Sequence, residues 1–373
     1  MKFTEKILMD ALEKAPSRYS LYPTSPGYRE IKLLSGETYF FNLGGDYTWD
    51  LETEQLRPTT CKDVVVGSRL IDGCENIDAM CIPAYWLYDL FKKEEYDRYG
   101  LWDIAQPLTN LHCGKVKLEV YSTGLDTEIP STIRTWQILA GGEEAFREKP
   151  NGALVVCPIS PLYLSGRKEQ DDPWGHADQL MAAAKAGVPA TIGVCGLMGA
   201  SAPITVGGLI TQSIAEVLAM NVAFQTINPG HPISLNDYTG ALDMFTGQKQ
   251  EARPEAELAR LAMTEMAHFL GIPITIINNT GAVQTDAQMA WENMANCFAQ
   301  GLVGSDMIGT GGVLGGDDIF DPRALLISNE IVGWFKHFQK GFEMNADAIP
   351  LDLMIEAKGP VQRVDVETVQ VDK

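Results

Sequence analysis

The feature that most constrains this chain is an alternation. From about residue 77 onward, short apolar runs of β type are each followed by a longer helical pattern. The runs are Ile77–Ile82, Val116–Tyr121, Ala153–Ile159, Pro189–Val194, Ile233–Asn236, Ile274–Asn278 and Asp306–Thr310. Several are continuously apolar, as strands covered on both faces by helices must be. His176–Ala186 is alanine-rich and stops at Gly187, a natural helix end. Gly207–Ile227 is long and apolar and breaks at Asn228-Pro229-Gly230. Pro254–Leu270 opens on proline and ends at glycine, and Thr285–Leu302 and Pro322–Phe342 follow the same plan. Repeated βα units with right-handed crossovers build a closed barrel or an open doubly wound sheet. No GxGxxG opens a helix after the first run, so the barrel is favoured. The expectation is an α/β protein, a (β/α)8 TIM barrel, with seven strands visible and the eighth in a weakly patterned stretch.

A barrel of about 250 residues leaves room for additions at both ends of a 373-residue chain. Residues 1–70 read as an N-terminal extension. Met1–Lys14 has helical spacing, and Glu37–Phe41 with Tyr47–Trp49 suits a small β appendage. Residues 71–345 read as the barrel and 346–373 as a C-terminal tail. Apolar residues make up 45%, enough for a large core. No run of roughly 18 uncharged apolar residues suggests a membrane span, and the N-terminus has no signal-peptide pattern. The seven cysteines lack CxxC spacing, which argues against a disulfide framework or a structural zinc and for a reducing, cytoplasmic compartment. A net charge of −20 disfavours nucleic acid and suits a cationic ligand or a basic partner.

In a barrel, the loops after the strands form the active face. Here they are Ser160–Tyr163, Gly196–Thr205, Asp237–Gly240, Asn279–Asp286 and Gly311–Asp318, dominated by Gly, Ala, Ser, Thr and Asn. A lysine nucleophile, a Ser-His-Asp set or a metal cluster is hard to assemble from them. His176, His268 and His337 fall in helical patterns and His112 precedes a strand. His231 has a loop setting, Asn228–Pro232, although that loop also precedes its strand. No HxH or HExxH occurs, so no bound metal is expected. Gly311–Gly316 lacks the Lys and Ser/Thr of a P-loop. Tyr85, Trp86, Tyr121, Tyr163 and Tyr238 lie near the expected rim, where aromatic faces can hold a quaternary ammonium at about 0.5–2 kcal/mol each.

Taken together, Ser160-Pro161-Leu162, Met198–Thr205 followed by Gly-Gly, Asn228–Pro232 and Thr285-Asp286-Ala287-Gln288 resemble the trimethylamine methyltransferase family over roughly residues 10 to 345. The resemblance implies a TIM barrel that moves a methyl group from a quaternary or tertiary methylamine to the Co(I) of a cognate corrinoid (cobalamin) protein. Founding members carry pyrrolysine. None is written here, so the chain looks like the branch acting on glycine betaine-like quaternary amines. It departs from the family at both ends, without the further N-terminal helical segment and the histidine-containing C-terminal segment. A non-catalytic relative that binds a betaine or a corrinoid protein is therefore the alternative, and another chain could complete the fold. A quaternary ammonium leaves as a neutral amine and the corrinoid is itself the nucleophile, so the protein's task is positioning and desolvation. No catalytic residue is assigned. The candidate substrate contacts are Tyr85, Tyr121, Met198, His231, Asn236, Tyr238, Asn279, Thr280, Gln284, Gly311 and Gly312. A homo-oligomer is expected, with neither membrane nor nucleic acid as partner.

Overall fold

The apolar runs form strands, and an eighth closes them into a barrel. The computed structural model describes residues 3–83, 108–119, 128–164, 176–346 and 348–356. The strands are β1 (Tyr39–Asn42), β2 (Ala79–Cys81), β3 (Val116–Glu119), β4 (Gly152–Val156), β5 (Ala190–Val194), β6 (Ile233–Asp237), β7 (Ile274–Ile277) and β8 (Met307–Gly311). All are parallel and pair in chain order, and β8 pairs back with β1.

The closing strand comes from Glu37–Phe41, which the sequence pattern placed in the appendage. Tyr39–Asn42 lies between β8 and β2. Tyr39 and Phe41 enter the inner apolar cluster with Ala79, Cys81, Val116 and Leu118. Phe40 faces outward onto Ile71, Val332 and Phe335, meeting Phe335 edge-on at 5.8 Å between centroids. Phe41 reaches toward β8, where a Cβ on Gly309 would lie 2.7 Å from its Cζ, so only glycine leaves room for the ring. The strand escaped notice because no helix follows it directly. A hairpin, Tyr47–Asp50 with Gln55–Pro58, intervenes before the next helix.

The helices are α1 (Glu5–Lys14), α2 (Cys61–Gly73), α3 (Glu128–Ala140), α4 (Glu143–Glu148), α5 (His176–Ala186), α6 (Val206–Ile227), α7 (Pro254–Phe269), α8 (Ala287–Val303), α9 (Pro322–Lys340) and α10 (Leu351–Glu356). Their ends follow local chemistry. Thr205 caps α6 by accepting from Gly208 N at 3.2 Å, and Asp286 caps α8 by accepting from Gln288 N and Met289 N. Gly304 ends α8 in the left-handed region at φ 84°. By length and composition α6 is apolar enough to cross a membrane, but Leu209, Val217, Met220 and Phe224 are buried within the fold.

A two-stranded ladder, Ser20–Leu21 with Ile31–Lys32, contributes Leu21 and Ile31 to the inner cluster. Asp306, at the start of β8, accepts from Leu34 N at 2.5 Å and Ile274 N at 2.9 Å, tying the N-terminal segment to the barrel floor. Two small sheets belong to the opposite, C-terminal mouth. One joins Leu197–Met198, Gly240–Leu242 and Lys249–Gln250. The other joins Val313–Leu314, Ile319–Phe320, Tyr47–Asp50 and Gln55–Pro58. All of this lies in the unit Met1–Phe335. The second unit, Lys336–Lys373, holds the end of α9 and the short α10, whose Leu351, Leu353, Met354 and Ile355 are exposed.

Candidate functional site

Successive strand residues face opposite sides of the sheet, so the inward positions at the mouth can be followed from strand to strand. On β6, Ser234, Asn236 and Tyr238 share the inner face. Ser234 Oγ meets Thr191 Oγ1 of β5 at 3.2 Å, and Tyr238 packs against the inner cluster. Asn279 follows Ile277 on the same face of β7. Just past β4 and β5 stand Cys157 and Cys195. A Cβ on Gly193 would lie only 2.3 Å from Cys157 Sγ, so the thiol occupies the space that this glycine leaves open. The Cys157 thiol donates to the Cys195 sulfur. That bond pushes Cys157 up and draws Cys195 down, Lys249 helping against burial, Glu216 and Asp237.

The polar groups are incompletely paired. Asn279 Nδ2 donates to Tyr238 Oη at 3.3 Å, while Asn279 Oδ1 and Asn236 Oδ1 are buried without a partner. Lys249 sets its Nζ 3.8 Å from the centroid of the Tyr238 ring and 2.9 Å from Glu251 Oε1. Glu251 in turn meets the fully buried Arg260 of α7 at 3.3 Å. Arg260 also donates to Thr239 O at 3.0 Å and Glu251 O at 2.9 Å, anchoring the hairpin to the helix layer. Glu216 of α6 accepts from Ser160 Oγ at 2.9 Å, Leu162 N at 3.1 Å and Gln212 Nε2 at 3.2 Å, so it holds the Ser160–Leu162 loop. Beside that loop a cleft of about 410 Å³ is lined by Cys157, Pro158, Ile159, Ser160, His176, Cys195 and Ser201.

The loop after β8 leans across the mouth. Gly315 N donates to Ala282 O at 2.8 Å and Gly316 N to Thr280 O at 3.0 Å. Asp317 follows in the left-handed region at φ 91°, its Oδ1 buried and without a partner. Burial, with Asp318, Cys195 and Asp46 nearby, pushes its carboxyl well above the usual range. Two open amide oxygens and a surplus of carboxylates over Lys249 and Arg260 make a setting for a compact cation. Among the described residues no three His, Cys, Asp or Glu side chains form a metal-binding group.

The structure brings Asn236, Tyr238 and Asn279 together at this mouth. The other candidates among the described residues are engaged otherwise. Met198 packs with Ala202, Leu209 and Ala259 in a satellite cluster. Thr280 is buried and donates to Glu292, which also accepts from Gly281 N at 2.9 Å, so it fixes the loop. Gln284 is exposed on that loop. Gly311 and Gly312 open no space: their Cβ positions would meet Leu325 Cδ1 at 3.0 Å and Phe320 Cε2 at 2.8 Å. His231 sits before β6, at the opposite end, stacked on Phe224 at 4.8 Å and bonded to Asn228 at 3.3 Å. Burial draws its imidazole down to about 4. Tyr85, Trp86 and Tyr121 lie outside the described residues. Sequence reading missed Cys157, Cys195, Glu216, Lys249, Glu251 and Asp317. The one available signal was position: Cys157 and Cys195 each directly follow a strand.

With this geometry in view, the likeness to known proteins is specific. The model of the family described as trimethylamine methyltransferase (MTTB) matches residues 1–362. The trimethylamine methyltransferase MttB of Methanosarcina thermophila is 24% identical over 367 residues, spanning 94% of this chain and 71% of that protein. The glycine betaine methyltransferase of Desulfitobacterium hafniense strain Y51 is 30% identical over 376 residues, spanning 96% and 71%. Among solved structures, the Methanosarcina barkeri monomethylamine methyltransferase (MtmB) superposes with a TM-score of 0.58 at 10% identity, covering 89% of this chain and 67% of that one. At that identity the superposition speaks for the barrel fold alone.

Proposed function

This chain belongs to the trimethylamine methyltransferase family, and we propose that it moves a methyl group from a quaternary or tertiary methylamine, of glycine betaine type, to the Co(I) of a corrinoid held by a partner protein. The observation that carries this reading is the mouth itself, where Tyr238 and the unpartnered oxygens of Asn236 and Asn279 face an acid-rich rim. An alkylammonium suits these groups: its charge is attracted by the carboxylates, and its polarised methyls approach the amide and Tyr238 oxygens, the ring face being held by Lys249.

Such a substrate asks little acid–base chemistry of the protein, because its leaving group departs as a neutral amine. The reduced corrinoid of the partner supplies the nucleophile. This chain's residues bind the cation, hold its methyl toward the open end of the barrel and keep water from its other faces. The rim offers apolar contact for a docking protein. Ile204, Met244 and Phe245 are 71%, 73% and 99% exposed, and Met244 and Ile204 gather about Gly199. The seven free cysteines suit a reducing cytoplasm.

The test mixes the protein with glycine betaine or trimethylamine and a Co(I)-loaded corrinoid protein, and follows corrinoid methylation by its absorbance. Methylation that requires both the chain and the amine is the expected result. No methylation from any betaine or methylamine would overturn the proposal.

A further inference from the structure

The carboxylate that best answers the substrate's charge is on the loop after β8, where sequence reading assigned nothing beyond Gly311 and Gly312. Asp317 reaches over the mouth from β8 to within electrostatic range of Cys195 at the end of β5. Its loop is pinned through Gly315 and Gly316 to the segment after β7. The side chain is set by a left-handed backbone that non-glycine residues rarely adopt, and Oδ1 has no hydrogen-bond donor. At the same mouth, Asn236 and Asn279 are 2% and 0% exposed and each presents a buried oxygen with no donor. Oxygen atoms without donors, converging on one mouth, call for a positively charged guest rather than for a hydrogen-bonding anion.

We propose that Asp317 is the counter-charge for the substrate's alkylammonium head, and that it gives up a proton to solvent when that head is bound. The inference rests on the alkylammonium reading above. The charge balance follows from what faces Asp317: Asp318 on its own loop, Asp46 after β1 and Cys195 after β5. Glu251 Oε1 comes within 3.6 Å of a Cβ placed on the neighbouring Gly316, and the nearby cation Lys249 is already engaged by Glu251 and the Tyr238 ring. In the free protein these groups make the carboxyl hold its proton to a higher pH than an ordinary aspartate does. A tetraalkylammonium seated below it reverses the balance. The carboxyl ionises, one proton leaves, and the complex holds an ion pair.

The experiment is calorimetric titration of the full chain with tetramethylammonium chloride, in buffers of different ionisation enthalpy, across a pH series. Wild type should release close to one proton per cation bound at the acidic end. Its affinity should rise by up to roughly tenfold per pH unit before levelling off. Asp317→Asn should bind with the weak, acid-end affinity of wild type at every pH and release no proton. Asp46→Asn removes one like charge and should move the wild-type pH midpoint downward, a result available even if Asp317→Asn does not fold. Binding without proton release, a pH slope retained in Asp317→Asn, or an unmoved midpoint in Asp46→Asn would overturn the role of Asp317 and leave the alkylammonium reading standing. Wild type that binds no alkylammonium at any pH would overturn both.

Discussion

Replacing Gly193 by alanine tests whether the thiols at the mouth are packed as described. The new methyl would lie 2.3 Å from Cys157 Sγ and 3.2 Å from Val155 Cγ1, and real Cβ contacts essentially never fall below 3.0 Å. Something must move, and the sulfur is the movable atom. Overpacking of this kind costs about 1–3 kcal/mol. Stiffening the unfolded chain by Gly→Ala returns about 0.4–1 kcal/mol. The net is a destabilisation centred near 1 kcal/mol, small enough for the protein to fold. The second perturbation is Cys157→Ala, which removes the sulfur and makes room for the methyl. The double variant should therefore recover most of the clash, giving a favourable coupling of about 1–2 kcal/mol in a double-mutant cycle. Denaturant unfolding of the parent, the two single variants and the double variant supplies all four corners. Moving the Cys157 thiol also breaks its donation to Cys195, so iodoacetamide should alkylate Cys195 more slowly in Gly193→Ala than in wild type. A coupling below about 0.5 kcal/mol, or a Gly193→Ala protein as stable as its parent, would refute the packing argument.

Tyr238 should divide ring from hydroxyl. Tyr238→Leu removes the ring on which Lys249 rests, a contact worth about 0.5–2 kcal/mol, and should destabilise the protein by that amount in urea melts, whereas Tyr238→Phe keeps the ring, loses only the 3.3 Å bond from Asn279 and should fall less; equal losses would rule out a stabilising Lys249 contact with the ring. His231 governs acid stability instead of binding. Burial lowers its folded-state value from 6.5 to about 4, so the unfolded chain takes up the proton first and stability is lost as pH falls from 6.5 toward 4. The difference amounts to about 3 kcal/mol. His231→Phe should flatten that part of the stability–pH curve in urea melts, and an unchanged slope would place the sensitivity in another group.

The barrel was legible because its strands are buried on both faces. Ala190–Val194 and Ile274–Ile277 are buried at every position, and their sequences carry no charged residue. β1 obeys the same rule but was misplaced, since the hairpin after it interrupts the βα rhythm. That Asn236, Tyr238 and Asn279 lie at the mouth could be read because the ends of barrel strands face it by construction. His231 showed the limit of reading by loop chemistry. Its loop precedes a strand, and topology sends it to the wrong end. The remaining groups owe their places to contacts that spacing does not encode. Cys157 and Cys195 meet only because β4 and β5 pair, and Lys249 reaches Tyr238 only because its hairpin folds back. Asp317 stood in plain view in a glycine-rich loop, where its meaning depends on which strand the loop crosses.

The pairing of β1 with β8 also bears on how the molecule is made. Leu34 N and the Asp306 carboxylate that closes the floor are separated by 272 positions in the chain. A ribosome adding roughly 5–20 residues per second needs on the order of tens of seconds to cover that interval. Throughout, the Tyr-Phe-Phe edge of β1 waits with one side unpaired, and an apolar strand edge is a template for association with other chains. The nascent protein is thus expected to lean on holding chaperones until β8 emerges, and its yield in cells should respond more to translation rate and chaperone supply than to the stability of the finished barrel.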